Sequence, residues 1–150
     1  MPLPEDWRAF IKSLNSNGVE YVVVGAVALA HHGFPRYTGD LDVLIRNTPE
    51  NAKRLESALA AFGFGGMGLK AADFVKPYRV VQLGAPPNRI DLLTSITGVS
   101  FAEAWAGRVR VKVEGVPINF IGRRALVRNK RKTGRPRDKA DLEALGTSEE

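Results

Sequence analysis

The stretch that decides the fold is VEYVVVGAVALAHHGFPRYTGDLDVLI, residues 19–45. Its first part, 19–24, carries three consecutive valines and predicts a strand that is buried on both faces. Gly25 ends that strand, residues 26–32 predict a short helix that Gly33 ends, and residues 40–45 predict a second strand. We therefore expect a strand–helix–strand unit with a glycine at the first strand-to-helix junction.

Further helices and strands are predicted on both sides of this unit. The helices are expected at about 4–17, from 48–50 to a stop at 63, as a short turn at 101–105, and at about 123–132 and 136–145; the strands are expected at 79–83, 89–93, 108–112 and 116–121. This order predicts an α/β (α+β) fold, a mixed β-sheet flanked by helices. We expect residues 1–150 to form one domain, with the C-terminal helices of about 123–145 packed on it.

The composition excludes several classes of protein. Hydrophobic residues make up 44% of the chain and charged residues 25%, which is typical of a globular domain. The chain contains no cysteine, which excludes disulfides, thiolate zinc sites and thiol catalysis. The longest apolar run, 21–30, is too short to span a bilayer, and the N-terminus lacks a signal-peptide pattern. We expect a cytoplasmic protein without a membrane partner.

Positive charge is concentrated near the C-terminus. The net charge is +6, and residues 123–139 contain nine basic residues and one acid, so this segment carries +8 and the remainder −2. Such a segment is suited to bind phosphate, either free or in nucleic acid. A solvated basic helix explains the same charge equally well.

Two aspartates in the second strand are the first candidate metal ligands. Asp40 and Asp42 are two residues apart, so their side chains lie on one face, with α-carbons roughly 6.6 Å apart. Adjacent carboxylates repel each other and usually need a cation. Oxygen ligands favour Mg²⁺ or Mn²⁺, and a pair of such ions about 3.5–4 Å apart fits a carboxylate cluster of this kind.

Asp91 is the third candidate. Ile90 and Leu92 are expected in the core, so Asp91 lies on the opposite face of its strand. If this strand neighbours that of Asp40 and Asp42, three carboxylates converge on a metal site that would attract a polyphosphate. The alternative for any one of these acids is a solvated side chain.

The junction at Gly25 and Ala26 is a candidate phosphate-binding site. A strand–glycine–helix junction directs free backbone N–H groups and the positive end of the helix toward one point. Taken together, Gly25-Ala26, Asp40-x-Asp42 and Asp91 resemble the motif of the nucleotidyltransferase superfamily of DNA polymerase beta. Ala26 stands where that family usually has Gly or Ser, so it offers only its N–H.

Residues 23–45 are more similar still to a small prokaryotic branch, which includes the minimal nucleotidyltransferases and the AbiEii-like toxins of toxin–antitoxin pairs. The segment KRKTGRPRDKAD, residues 130–141, is also similar to that branch, and the resemblance extends from 19 to 145. It implies the nucleotidyltransferase fold and transfer of a nucleoside monophosphate from an NTP (ATP, CTP, GTP or UTP) to a hydroxyl, releasing pyrophosphate. The implied acceptor is RNA, such as tRNA, or protein.

The resemblance also implies roles for single residues. Asp40, Asp42 and Asp91 are the expected catalytic residues and ligands of Mg²⁺ or Mn²⁺, and Lys130 is expected to neutralise charge on the phosphates. The expected nucleotide-binding residues are Gly25, Ala26, Arg36 and Thr38. For Arg36 and Thr38, bracing of the loop ahead of Asp40 is an equally good interpretation.

Two other functions remain open. The chain is alternatively a non-catalytic nucleotide-binding partner in a two-protein module, which Ala26 and the small size of the chain favour. A weaker hypothesis is transfer to a small hydroxylated compound, as in aminoglycoside-modifying relatives, although such a substrate needs a walled pocket. A cognate partner protein is compatible both with nucleotide transfer to RNA or protein and with the non-catalytic nucleotide-binding function.

Some features have both structural and functional interpretations. Asp138 and Asp141 share a helix face and either pair with Arg135 or Arg137 or position Lys130. Residues 63–68, GFGGMG, match a dinucleotide fingerprint by letter, but a helix and not a strand precedes them, so a mobile loop is expected. Three basic residues at 108, 110 and 112 either protect a sheet edge or bind the acceptor. Histidines 31 and 32 are expected to cap or pack.

Overall fold

A six-stranded mixed sheet forms the centre of the structure, a computed structural model that describes residues 3–34, 38–85 and 87–146. The strands are β1 Tyr21–Val24, β2 Asp40–Ile45, β3 Val80–Leu83, β4 Arg89–Leu93, β5 Val109–Val113 and β6 Val116–Phe120, in the order β3-β4-β2-β1-β6-β5. The pairs β1–β6 and β2–β4 are parallel, and the other three pairs are antiparallel. The predicted mixed sheet is confirmed.

In the part of the chain that the structure describes, six α-helices flank the sheet. They are α1 Glu5–Ser16, α2 Gly25–His31, α3 Pro49–Leu59, α4 Phe101–Ala106, α5 Arg123–Thr133 and α6 Pro136–Leu145. Local signals account for several of the boundaries: the Thr48 side chain caps α3, Pro49 occupies its first turn, and the Ser100 side chain caps α4. Their order along the chain is as predicted, which confirms the α/β class.

The segment after α3 differs from the sequence prediction. Residues predicted to end one helix and form a loop instead form a π-helical turn, Ala60–Phe64, and a 3-10 turn, Gly65–Met67. The chain bends at Gly63, where φ is 108°, because glycine adopts a positive φ at little cost. A third turn, Ala71–Phe74, was not predicted. Since no strand precedes residues 63–68, they do not form a dinucleotide fingerprint.

The alternation of β2 orients the site. Leu41, Val43 and Ile45 are fully buried in the core, so Asp40 and Asp42 project from the other face of the sheet. The C-terminal helices add Leu126 and Leu142 to the same hydrophobic cluster. Within the described ranges, no helix is both long enough and apolar enough to cross a membrane.

Candidate active site

The sheet brings the three predicted carboxylates together. β2 and β4 are parallel neighbours, and their register places Asp42 opposite Asp91 and Asp40 opposite Arg89. Each aspartate offers an oxygen, and these oxygens lie within 4.8 Å of one another. The convergence expected if the two strands were adjacent is therefore present.

The Gly25 backbone lies against the Asp42 carboxylate. Gly25 has a φ of 70°, and a Cβ at this position would overlap Asp42 Oδ2. Glycine thus serves two purposes at the β1–α2 junction, since it adopts the left-handed conformation and leaves room for the carboxylate. A residue with a side chain here would displace Asp42.

Burial and charge repulsion make ionisation of Asp42 and Asp91 unfavourable. Burial raises the pKa of Asp42 to about 8, and the neighbouring charges of Asp40 and Asp91 act in the same direction. Burial also raises the pKa of Asp91, although Arg89 opposes that shift. A divalent cation would remove this penalty by stabilising the ionised carboxylates.

Arg89 is a member of the site that the sequence analysis did not single out. Its Nε and NH2 atoms donate to the two oxygens of Asp91 at 2.9 and 3.1 Å, and NH2 lies 3.5 Å from Asp40 Oδ2. This hydrogen bonding to Asp91 raises the pKa of the Arg89 guanidinium. The sequence feature that indicates Arg89 is its spacing from Asp91. Residues 89 and 91 are two apart in one strand, so their side chains lie on the same face.

The donor set fits Mg²⁺ or Mn²⁺. Three carboxylates on one sheet face supply only oxygen ligands, which these ions prefer, and a divalent cation would offset the burial and the mutual repulsion that raise the pKa of Asp42. Asp40, Asp42 and Asp91 would hold the metal.

The C-terminal helices form the opposite wall of a cleft of about 920 Å³ that also contains the three aspartates. Lys130 lies in this wall and is buried, with its Nζ 2.8 Å from Asp141 Oδ2 and 3.6 Å from Asp138 Oδ1. Asp138 also accepts from Arg135 Nε at 2.7 Å and from Thr133 Oγ1 at 2.6 Å. The two acids therefore pair with Lys130 and Arg135.

Asp138 is ionised in this network. Burial acts to raise its pKa, but hydrogen bonds from Arg135 and Thr133 and the charge of Lys130 outweigh burial and hold that pKa well below its usual range. The hydrogen bonding to Asp138 in turn raises the pKa of Arg135. The end of α5 and the start of α6 are thus joined by one charged network.

The predicted nucleotide-binding residues have different surroundings. Gly25 and Ala26 line the cleft where β1 meets α2, and Thr38 lines it ahead of β2. Thr38 Oγ1 donates to the Asp40 backbone oxygen at 3.0 Å, which agrees with a bracing role for this side chain. Arg36 lies outside the described residues.

Three other polar residues singled out in the sequence have local partners: His31, His32 and Arg110. The His31 ring stacks on Phe120 with centroids 4.2 Å apart, and His32 Nε2 lies 2.8 Å from the Ile121 backbone oxygen. Burial lowers the pKa of His31. β5 is an edge strand, and Arg110 on it donates to Asn119 at 2.8 Å.

The fold is shared with two solved structures. A candidate nucleotidyltransferase from Thermotoga maritima superposes with a TM-score of 0.60 at 17% identity, covering 97% of this chain and 94% of the other. An antigenic nucleotidyltransferase-like protein from Paracoccidioides brasiliensis gives a TM-score of 0.56 at 17% identity, covering 99% of this chain and 78% of the other. At this identity the likeness establishes the fold.

The sequence itself matches a family model. No curated protein matches the chain. Residues 4–149 match the model described as "Nucleotidyl transferase of unknown function (DUF2204)". Because this match takes in nearly all of the chain, and the fold and the acidic cleft agree with it, the chain belongs to this family of nucleotidyl transferases.

Proposed function

We propose that the protein is a Mg²⁺- or Mn²⁺-dependent enzyme that transfers a nucleoside monophosphate from an NTP to a hydroxyl of RNA. The observation that carries the proposal is the convergence of Asp40, Asp42 and Asp91 in a cleft whose opposite wall is basic. Carboxylates that hold divalent ions beside cationic groups are the arrangement that phosphoryl transfer requires. Protein is the alternative acceptor.

The residues of the cleft have separate tasks in this reaction. The three aspartates hold the metal, which when bound would neutralise charge on the triphosphate. Asp91 has a raised pKa and is suited to accept the proton of the attacking hydroxyl. Gly25 and Ala26 present the amino end of α2 to the phosphates, and Thr38 braces the backbone of Asp40.

Lys130 and Arg36 complete the predicted set. Lys130 lines the cleft wall, where its contacts with Asp138 and Asp141 fix its position, and neutralisation of phosphate charge by Lys130 stays a prediction. For Arg36, contact with phosphate stays a prediction. The basic segment 123–139 supports RNA as acceptor, because exposed arginines and lysines attract the phosphate backbone.

A label-transfer assay tests the proposal. The wild type and an Asp40→Asn/Asp42→Asn variant are incubated with each α-labelled NTP, Mg²⁺ and either total tRNA or cell protein. We expect label on RNA with the wild type alone, which would also identify the base. Label on protein alone would show that the acceptor is protein and not RNA. Equal transfer by the wild type and the variant would contradict the assignment of the aspartates as catalytic residues.

A toxin role extends the same proposal. Transfer to a tRNA would block growth, and a cognate antitoxin would prevent it. Expression of the wild type is then expected to arrest cells, whereas the double variant does not. Growth arrest by the wild type and the double variant alike would show that toxicity does not depend on nucleotide transfer.

A non-catalytic nucleotide-binding partner is the second candidate. It is favoured by Ala26, which brings no hydroxyl to the phosphates, and by Arg89, which already occupies both oxygens of Asp91. Binding of an NTP without transfer to any acceptor would support this function over the first.

A further inference from the structure

The positive charges on the basic wall of the cleft are not equivalent. Four cationic residues on α5, α6 and the turn between them line the cleft: Lys130, Lys132, Arg135 and Arg137. Two of them are neutralised, since Asp141 and Asp138 pair with Lys130 and Arg135. Within the described part of the chain, Lys132 and Arg137 have no ion pair. The net charge of this wall, +2, therefore comes from Lys132 and Arg137.

The position of Lys132 is fixed by its packing. A Cβ at Gly98 would lie 2.5 Å from Lys132 Cγ, so the aliphatic stem of Lys132 passes directly over the Gly98 backbone. The loop that contains Gly98 is also attached to α5, because Asn129 Nδ2 donates to the Thr97 backbone oxygen at 2.8 Å. The glycine thus makes room for a lysine whose charge has no partner in the described structure.

Arg137 occupies an unfavourable place on its helix. It lies in the first turn of α6, which begins at Pro136, where the helix dipole disfavours a positive charge. The Asp138 network fixes the preceding turn, since Asp138 also accepts from the Arg135 backbone N–H at 3.2 Å. A cation held at the amino end of a helix adds to the field that attracts an anion.

We propose that Lys132 and Arg137 form the polyphosphate subsite of the cleft, which contacts the β- and γ-phosphates of the NTP. This inference rests on the proposed function and adds residues to it. An NTP with four negative charges and one divalent ion carries −2, which the two unpaired cations balance. Lys130 then acts as a positioning residue, because its buried ammonium, held by Asp141, fixes α5 against α6.

Binding measurements test the subsite. The affinities of ATP, AMP and inorganic tripolyphosphate are measured in Mg²⁺ for the wild type, Lys132→Ala, Arg137→Ala and the double variant. Lys139→Ala is the matched control, because Lys139 is an exposed cation on α6 that does not line the cleft. We expect each single variant to bind ATP and tripolyphosphate about tenfold more weakly than the wild type does. The affinity for AMP should change little.

The ratio of ATP to AMP affinity is the decisive quantity. Collapse of this ratio in the double variant, with the Lys139→Ala ratio unchanged, would support the subsite. A ratio retained in the double variant, or absent from the wild type, would overturn it. The label-transfer assay on the same proteins tests the proposed function separately. If the wild type transfers label but the double variant keeps the wild-type ratio of ATP to AMP affinity, the subsite is refuted and the proposed function is not.

Gly98→Ala provides a second route to the same residue. The added methyl group should displace the Lys132 stem and weaken ATP binding. In the Lys132→Ala background, however, Gly98→Ala should cause no further loss of ATP affinity. Additive losses would show that Gly98 acts on the cleft without Lys132 and would contradict the packing argument.

Discussion

Gly25 determines whether the Asp42 carboxylate can stay where the structure places it. Gly25→Ala should cost about 1–3 kcal/mol through backbone strain and should also weaken Mn²⁺ binding, because the new Cβ meets Asp42 Oδ2. Gly68→Ala is a matched control: Gly68 has a φ of 73°, close to the 70° of Gly25, and a Cβ there meets no atom within 4 Å.

Thermal melting and Mn²⁺ titration of the two variants separate strain from displacement. Both variants should melt at lower temperature than the wild type, and only Gly25→Ala should bind Mn²⁺ more weakly. If Gly25→Ala kept the wild-type Mn²⁺ affinity, Asp42 would not be a ligand that depends on this glycine.

Asp42 also makes stability depend on pH. Burial raises its pKa from 3.8 to about 8, so the folded protein holds a proton that the unfolded chain releases more readily. The resulting stabilisation is complete below pH 3.8 and is lost as the pH rises through about 8. The metal-free protein should therefore melt at lower temperature at pH 8 than at pH 5.

Asp42→Asn should flatten this dependence, whereas Glu143→Gln, a change at an exposed acid on α6, should leave it intact. Melting curves in a chelator between pH 5 and pH 9 measure both. Saturating Mn²⁺ should restore stability at the higher pH, because metal binding replaces the proton. A wild-type slope retained in Asp42→Asn would assign the titration to another group.

The junction of α5 and α6 depends on a buried ion pair. The Lys130 and Asp141 side chains are each 7% exposed. Lys130→Met would remove the ammonium group that lies 2.8 Å from the buried Asp141 carboxylate, at a cost of about 3–5 kcal/mol. The double variant Lys130→Met/Asp141→Leu should recover most of that stability, because it removes both charges. Urea denaturation measures the three free energies of unfolding.

Arg128→Met is the control on the same helix. Arg128 pairs with Glu103, and the two side chains are 46% and 49% exposed, so the expected loss is below about 1 kcal/mol. Equal losses in Lys130→Met and Arg128→Met would mean that burial does not strengthen the α5–α6 pair.

The elements were predictable where the pattern is local. The valines of β1, the alternation of β2 and the cap at Thr48 are short-range signals, and the structure agrees with them. The helix stop at Gly63 was predictable from the glycine, but the π-helical turn Ala60–Phe64 and the 3-10 turn Gly65–Met67 were not, because the residue types there do not distinguish such turns from a regular helix end and a loop. Contacts that depend on strand register, such as Arg89 with Asp40, need the pairing of β2 with β4, which the sequence does not state.

The site was predictable to a similar extent. The residue types and spacing indicated Asp40, Asp42 and Asp91, because a metal cluster needs several carboxylates on one face. The sequence does not decide the partners of Lys130, because Asp138 and Asp141 can each pair with Arg135, with Arg137 or with Lys130. Only the packing of α5 on α6 distinguishes the neutralised cations from Lys132 and Arg137.

Charge is segregated across the whole molecule, with +8 on residues 123–139 and −2 on the remainder. If RNA is the acceptor, this segment should release counterions from it, so affinity should fall by about tenfold or more between about 50 and about 200 mM salt. Arg124 is exposed on α5 and does not line the cleft. Arg124→Ala should reduce the slope of log affinity against log salt by about one.

Lys112→Ala distinguishes the two interpretations of the β5 edge. Lys112 is exposed on this edge strand, outside the basic segment. We expect its RNA affinity to match the wild type and its solubility to fall, since charged residues keep an unpaired edge from associating with other strands. An equal loss of RNA affinity in Lys112→Ala and Arg124→Ala would extend the acceptor surface to β5. An affinity that does not change with salt would exclude the basic segment as an RNA-binding surface and favour a protein acceptor.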